Sequence, residues 1–216
     1  RYLYKPTASE GNTRFNDNRR LHIFIADLAA RQVRQLTDGL YSEHSIDWSP
    51  VTDEILFVSN REPDPDFVFN NDLFAITVSS GAIRRVTATE NAEYRPRWSP
   101  DGRTIAYQAT RRGITDLETT MEDTHVWLVN ADGTNRRDLG ASVDNRQGAP
   151  EWAADGASVF TTVQEHGNVR LYRLGVSGGA ATAVVSEPGT VGSFSVGRAG
   201  QLAYAFTSPS DLAQLY

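Results

Sequence analysis

The phrase RPRWSPDGRTIAYQATRRG, Arg95 to Gly113, has a weaker copy upstream, DWSPVTDEILFVSNRE from Asp47, and another downstream, EWAADGASVFTTVQEHG from Glu151. One such phrase is a turn followed by a strand; its repetition constrains the whole architecture. Setting the copies against one another makes Trp48, Trp98, Trp152 and Phe194 equivalent anchors, spaced by 50, 54 and 42 residues. Seven residues after each Trp stands the centre of an apolar, β-rich run, at Ile55, Ile105 and Val159, and the register is kept without gaps.

Between anchors a second shared phrase recurs: HIFIAD from His22, DLFAIT from Asp72, HVWLVN from His125 and RLYRL from Arg170. Each alternates apolar with small or polar residues, meets a small-residue turn, and continues into a short strand, RQVRQLT, AIRRVT, TNRRDLG or ATAVVS. Thr37 and Thr87, which close two of these strands, each lie 11 residues before their Trp. Four short strands per unit and a period of roughly 40 to 50 residues predict an all-β chain, a β-propeller of four-stranded antiparallel blades. The units fall at approximately 1–37, 38–87, 88–140, 141–186 and 187–216, the last incomplete. Ser99, Pro100, Asp101 and Gly102 fit a type I turn, with Pro presetting φ at its second position and Gly at its fourth. The Trp ahead of the turn is expected to fill the gap between neighbouring blades, where burial of such a ring contributes about 2 to 3 kcal/mol.

Strand counting gives about four and a quarter blades, because Tyr2 to Tyr4 aligns with a second strand and Ala213 to Tyr216 with a third. The expectation is a partial propeller cut from a larger protein, with edges that could pair with another copy as a homo-oligomer. The chain begins at Arg1, without an initiator Met or a leader pattern, and reads as a processed or trimmed product. No window shows a helical period. With 39% hydrophobic and 22% charged residues the composition is that of an ordinary globular domain, and no run approaches the roughly 18 apolar residues of a membrane helix. A net charge of −6 with scattered acidic residues argues against a nucleic-acid partner. Zero cysteines exclude disulfides, thiolate metal sites and a cysteine nucleophile, and fit the cytoplasm, which is favoured, as well as the periplasm.

The stretches DWSPVTDEILFVSNREPDPD, NDLFAITVSSGAIRRVT, RPRWSPDGRTIAYQATRRG, APEWAADGASVFTTVQEHGNVRLYRL and SFSVGRAGQLAYAFTSPSDLAQLY resemble the propeller of prolyl-oligopeptidase-type serine peptidases, nearest to the acylaminoacyl peptidase branch. The WSPDG repeat is also shared with TolB-like periplasmic propellers. The resemblance implies that an α/β-hydrolase domain with a Ser-Asp-His triad belongs to the same polypeptide, outside this chain. This chain would then be the non-catalytic gate of a peptidase acting on short or N-acylated peptides. The alternative is a TolB-like propeller that binds a partner protein and has no enzymatic role. No catalytic residue, metal or cofactor is assigned to the chain.

Gly175-Val-Ser-Gly-Gly179 satisfies the G-x-S-x-G pattern, but a nucleophile elbow needs a strand-to-helix turn, and Ser177 is followed by the strand-like AATAVVS. It is therefore read as a hairpin turn. His22 and His125 occupy equivalent strand positions, His166 a turn, and the acidic loop Glu62 to Asp66 lacks the Gly and the bidentate Glu of an EF-hand. The connections between second and third strands are more informative: long at Lys5 to Arg20, Asn60 to Asn71 and Arg111 to Asp123, short at His166. Long loops on a rigid scaffold carry function. Arg14, Arg19, Arg61, Arg111, Arg112 and Asp144 are the candidates there for contact with a catalytic domain or a peptide.

Overall fold

A computed structural model describes residues 4–7, 12–15, 20–65, 68, 70–113 and 123–216, the first two segments by their backbone alone. Every regular element among them is a β-strand. Two hairpins come first, β1 (Tyr4–Thr7) with β2 (Asn12–Phe15) and β3 (Phe24–Asp27) with β4 (Gln32–Gln35). A four-stranded antiparallel sheet follows, β5 (Glu43–Trp48), β6 (Glu54–Ser59), β7 (Asp72–Thr77) and β8 (Ile83–Arg85). A second repeats the order with β9 (Asn91–Trp98), β10 (Thr104–Gly113), β11 (Thr124–Asn130) and β12 (Arg137–Asp138). The chain continues through β13 (Glu151–Trp152), β14 (Ser158–Glu165), β15 (Asn168–Gly175) and β16 (Thr182–Val185) to β17 (Thr190–Val196), β18 (Leu202–Thr207) and β19 (Gln214–Leu215). A single parallel bridge, Val169 to Thr190, ties these last two groups. The first strands β5, β9, β13 and β17 touch one another in succession, so they gather at a common axis and each sheet runs outward from it.

Apolar clusters lie between successive groups. Ile23 meets Ile55, Phe57, Phe74 and Ile76; Leu56, Val58 and Leu73 meet Trp98, Ile105 and Tyr107; Val126 and Leu128 meet Val159 and Leu174; Phe160 and Leu171 meet Val191. A sheet with a neighbour on both faces buries both, which is why β6 and β7 read EILFVS and DLFAIT rather than alternating apolar with polar. At the first unit, among the described residues, no neighbour covers one face of the β3–β4 hairpin, and Phe24 and Val33 are exposed.

The expected WSPDG turn is present. Gly102 N–H donates to Ser99 O at 2.9 Å, Asp101 Oδ1 accepts from the Ser99 hydroxyl at 2.6 Å, and Gly102 has φ +67°. The same backbone bond closes from Gly156 to Ala153 and from Gly200 to Gly197. Trp98 fills an inter-blade gap at 6% exposure, and Trp152 packs between the third and fourth units. Trp48 departs from the expectation, at 53% exposure. Trp98 lies against β6 and β7 of the preceding sheet, whereas among the described residues β3 pairs only with β4, so no second strand covers Trp48. In the fifth group Val196 adjoins the turn, and Phe194 stands two residues earlier on the same face.

Two connections also differ from expectation. The segment from Lys5 to Arg20 contains β2, which pairs with β1. Strand β10 runs on to Gly113, so Arg111 and Arg112 belong to its end and not to a loop.

Candidate functional site

Antiparallel pairing decides which connections share a face. Glu43, at the start of β5, is opposite Ser59, at the end of β6. The connections between units therefore emerge beside those linking second to third strands, and the WSPDG turns lie on the other face. The first three crossings onto this loop-bearing face are each buckled by a buried side chain, Glu43, Glu93 or Gln147.

Between the first two groups, Thr37 Oγ1 accepts the Ile23 N–H at 2.9 Å and donates to Glu43 Oε2 at 3.0 Å. Between the next two, Thr87 accepts the Leu73 N–H at 2.9 Å and donates to Glu93 Oε2, while Thr89 donates to Glu93 Oε1 at 3.0 Å. At the third crossing Gly140 stands where Thr did and Gln147 where Glu did. Gln147 Oε1 accepts the Val126 N–H directly at 2.8 Å, and its Nε2 donates to Gly140 O and Val143 O, both at 2.8 Å. A Cβ on residue 140 would lie 1.9 Å from Gln147 Oε1, so the glycine is what admits the amide. A carboxylate only accepts and needs the hydroxyl as relay to the backbone donor; an amide both accepts and donates and needs none.

The electrostatic settings differ. Glu43 is buried beside two basic side chains, His22 Nδ1 at 3.0 Å and Arg61 Nη2 at 3.4 Å. Glu93 is fully buried among hydroxyls, and desolvation pushes its carboxyl up to about 7 against the lowering effect of the threonine hydrogen bonds. Burial likewise raises Asp72, opposed by the Thr89 N–H and by Arg85.

The sequence candidates divide. Arg61 turns inward, its guanidinium 4.7 Å from the Phe74 ring centre and paired with Glu43, which makes it part of the first buckle. Arg111 and Asp144 meet at 2.5 Å, both largely exposed, and clasp the end of β10 to the connection into β13. Asp144 also lies 3.8 Å from Nε2 of buried His125, whose Nδ1 is 2.8 Å from Asp138. Arg112 is exposed beside this pair. The side chain of Arg14, on β2, and all of Arg19 lie outside the described residues. A small cleft on the same face is lined by Arg20, Tyr41, Ser42, His44, Asn60 and Asn71. Ser177 sits in the β15–β16 hairpin, where Gly178 N–H donates to Gly175 O at 3.0 Å and the next two residues have φ +98° and +111°. The face thus offers charged, hydrogen-bonding loops on a rigid scaffold, suited to screening or docking.

A family model described as the TolB beta propeller domain matches residues 3–129. The chain belongs to this family. Beyond the TolB propeller match, a 104-residue stretch is 27% identical to the uncharacterized peptidase YuxL of Bacillus subtilis, covering 48% of this chain and 14% of that protein. TolB from Acinetobacter baumannii superposes with a TM-score of 0.63 at 15% identity, over 99% of this chain and 48% of TolB. A puromycin-hydrolyzing peptidase of Mycobacterium tuberculosis gives 0.69 at 20% identity, over all of this chain and 36% of that one. The chain therefore spans about half or less of these structures.

In this propeller the buckles were accessible to sequence reasoning but missed. Glu43, Glu93 and Gln147 each stand five residues before their Trp, a spacing as constant as that of Thr37 and Thr87.

Proposed function

We propose that this chain is the non-catalytic propeller of a serine peptidase, and that its loop-bearing face restricts which peptides reach a catalytic α/β-hydrolase domain of the same polypeptide. The observation that carries this reading is that the connections between units and those linking second to third strands emerge on one face, clasped there by Arg111–Asp144 and Arg61–Glu43. Sequence similarity to a peptidase over 104 residues and a fold shared with a puromycin-hydrolyzing peptidase support it. Short or N-acylated peptides are the substrate class. The test is labelling of the full-length protein with a fluorophosphonate probe, followed by mapping of the modified serine. Modification of a serine outside residues 1–216 is expected. Modification of Ser177 would refute the hairpin assignment, and no modification at all would favour the second reading, a TolB-like module that binds a partner protein. That alternative draws on the family match and on the superposition with TolB over 99% of the chain.

A further inference from the structure

The strands at the axis carry two arginines in different states. Arg97, just before Trp98, lies 3.8 Å from Asp47 and 3.5 Å from Glu151, the residues just before Trp48 and Trp152. One guanidinium thus joins three neighbouring first strands and is neutralised there. Arg95, two residues earlier on β9, is exposed and makes no hydrogen bond, ion pair or ring contact among the described residues. It occupies a β-bulge, between the pairs Gln108–Tyr94 and Ala106–Arg97, with φ +47°. L-residues other than glycine, Asn and Asp visit that conformation seldom, and a bulge re-aims the side chain it carries. Ser45 occupies the matching bulge of β5 with φ +52°, and Ala149 holds the matching position before β13. At this level of the axis, among the described residues, the exposed Arg95 therefore stands between two small neutral residues. One level further along, Asp47 and Glu151 outnumber Arg97 and disfavour passage of an anion.

We infer that Arg95 is a carboxylate-binding station on the axial wall, holding the C-terminal carboxylate or an acidic side chain of a peptide through its planar fork. The inference rests on the peptide-screening reading for its ligand, and it is tested by binding, separately from hydrolysis. The probes are acetyl-trialanine with N-methylated peptide bonds, as free acid and as C-terminal amide, and the amide carrying one Glu or one Gln. Each is titrated calorimetrically into the full-length protein. The wild type is expected to hold a carboxylate-bearing probe about tenfold tighter than its neutral counterpart, the scale of a charge-assisted hydrogen bond. Preference for the free acid over the amide identifies the peptide terminus as the source; preference for Glu over Gln identifies the side chain. Arg95→Gly keeps the left-handed backbone, removes the cation and is expected to abolish the preference without loss of thermal stability. Arg95→Lys should restore part of it. Equal binding of acids and neutral probes, binding of neither, or a preference that survives Arg95→Gly would each overturn the assignment. A full-length protein that hydrolyses no peptide yet shows the preference would refute the peptidase reading and leave the station standing.

Discussion

The second and third buckles close the same backbone gap with different chemistry. At one, Thr87 relays a backbone N–H to a buried carboxylate whose ionisation is opposed by desolvation. At the other, a glycine makes room for an amide that contacts the backbone itself. The repeat therefore specifies a geometric requirement, one donor and one acceptor satisfied between neighbouring blades, and not a residue. Thr with Glu and Gly with Gln are two matched solutions, and either half of one is a poor partner for half of the other.

Exchanging halves should have the largest effect. Gln147→Glu places an acceptor-only group against the Gly140 and Val143 carbonyls, with no hydroxyl to relay. A loss of about 3 to 5 kcal/mol is expected in denaturant unfolding, the scale for an uncompensated buried charge. A neutral outcome would mean that the amide contacts do not matter.

A smaller effect sharpens the comparison through pH. The folded-state pKa of Glu93 is about 7 against an ordinary 4.5, so the folded protein holds this proton more tightly than the unfolded chain. Its contribution is fully present below pH 4.5 and is lost as pH rises through 7, about 3 kcal/mol at most on the scale of 1.36 kcal/mol per unit. Asp72, also raised by burial, adds in the same sense. Stability measured from pH 4.5 to 8 should fall in the wild type and fall less in Glu93→Gln, while the Gln147 buckle contributes no such slope. Identical slopes in wild type and variant would place the titration elsewhere.

Much of the scaffold was legible because the blade repeat forces recurrent spacing: the WSPDG turns, the four-strand order and the hairpin at Ser177 follow from local chemistry. What failed depended on neighbours. Trp48 and Trp98 share a phrase, yet only Trp98 has two strands of a preceding sheet against it. Arg61 and Arg111 both read as loop arginines, and packing sent the first into a buckle and left the second at the surface. The bulge that carries Arg95 recurs at Ser45 and has no sequence signature beyond its distance from the Trp.

The smallest expected change in stability accompanies the most direct test of the gating account. The pair Arg111–Asp144 is exposed, so Arg111→Glu should cost no more than about 0.5 kcal/mol. Peptide hydrolysis by the full-length protein is measured against chain length for the wild type, Arg111→Glu, Asp144→Arg and the double exchange. The account predicts that each single change raises the rate on long peptides relative to short ones several-fold, on the order of 1 kcal/mol in relative barrier, and that the double exchange restores the wild-type profile. One length profile common to all four proteins would contradict it.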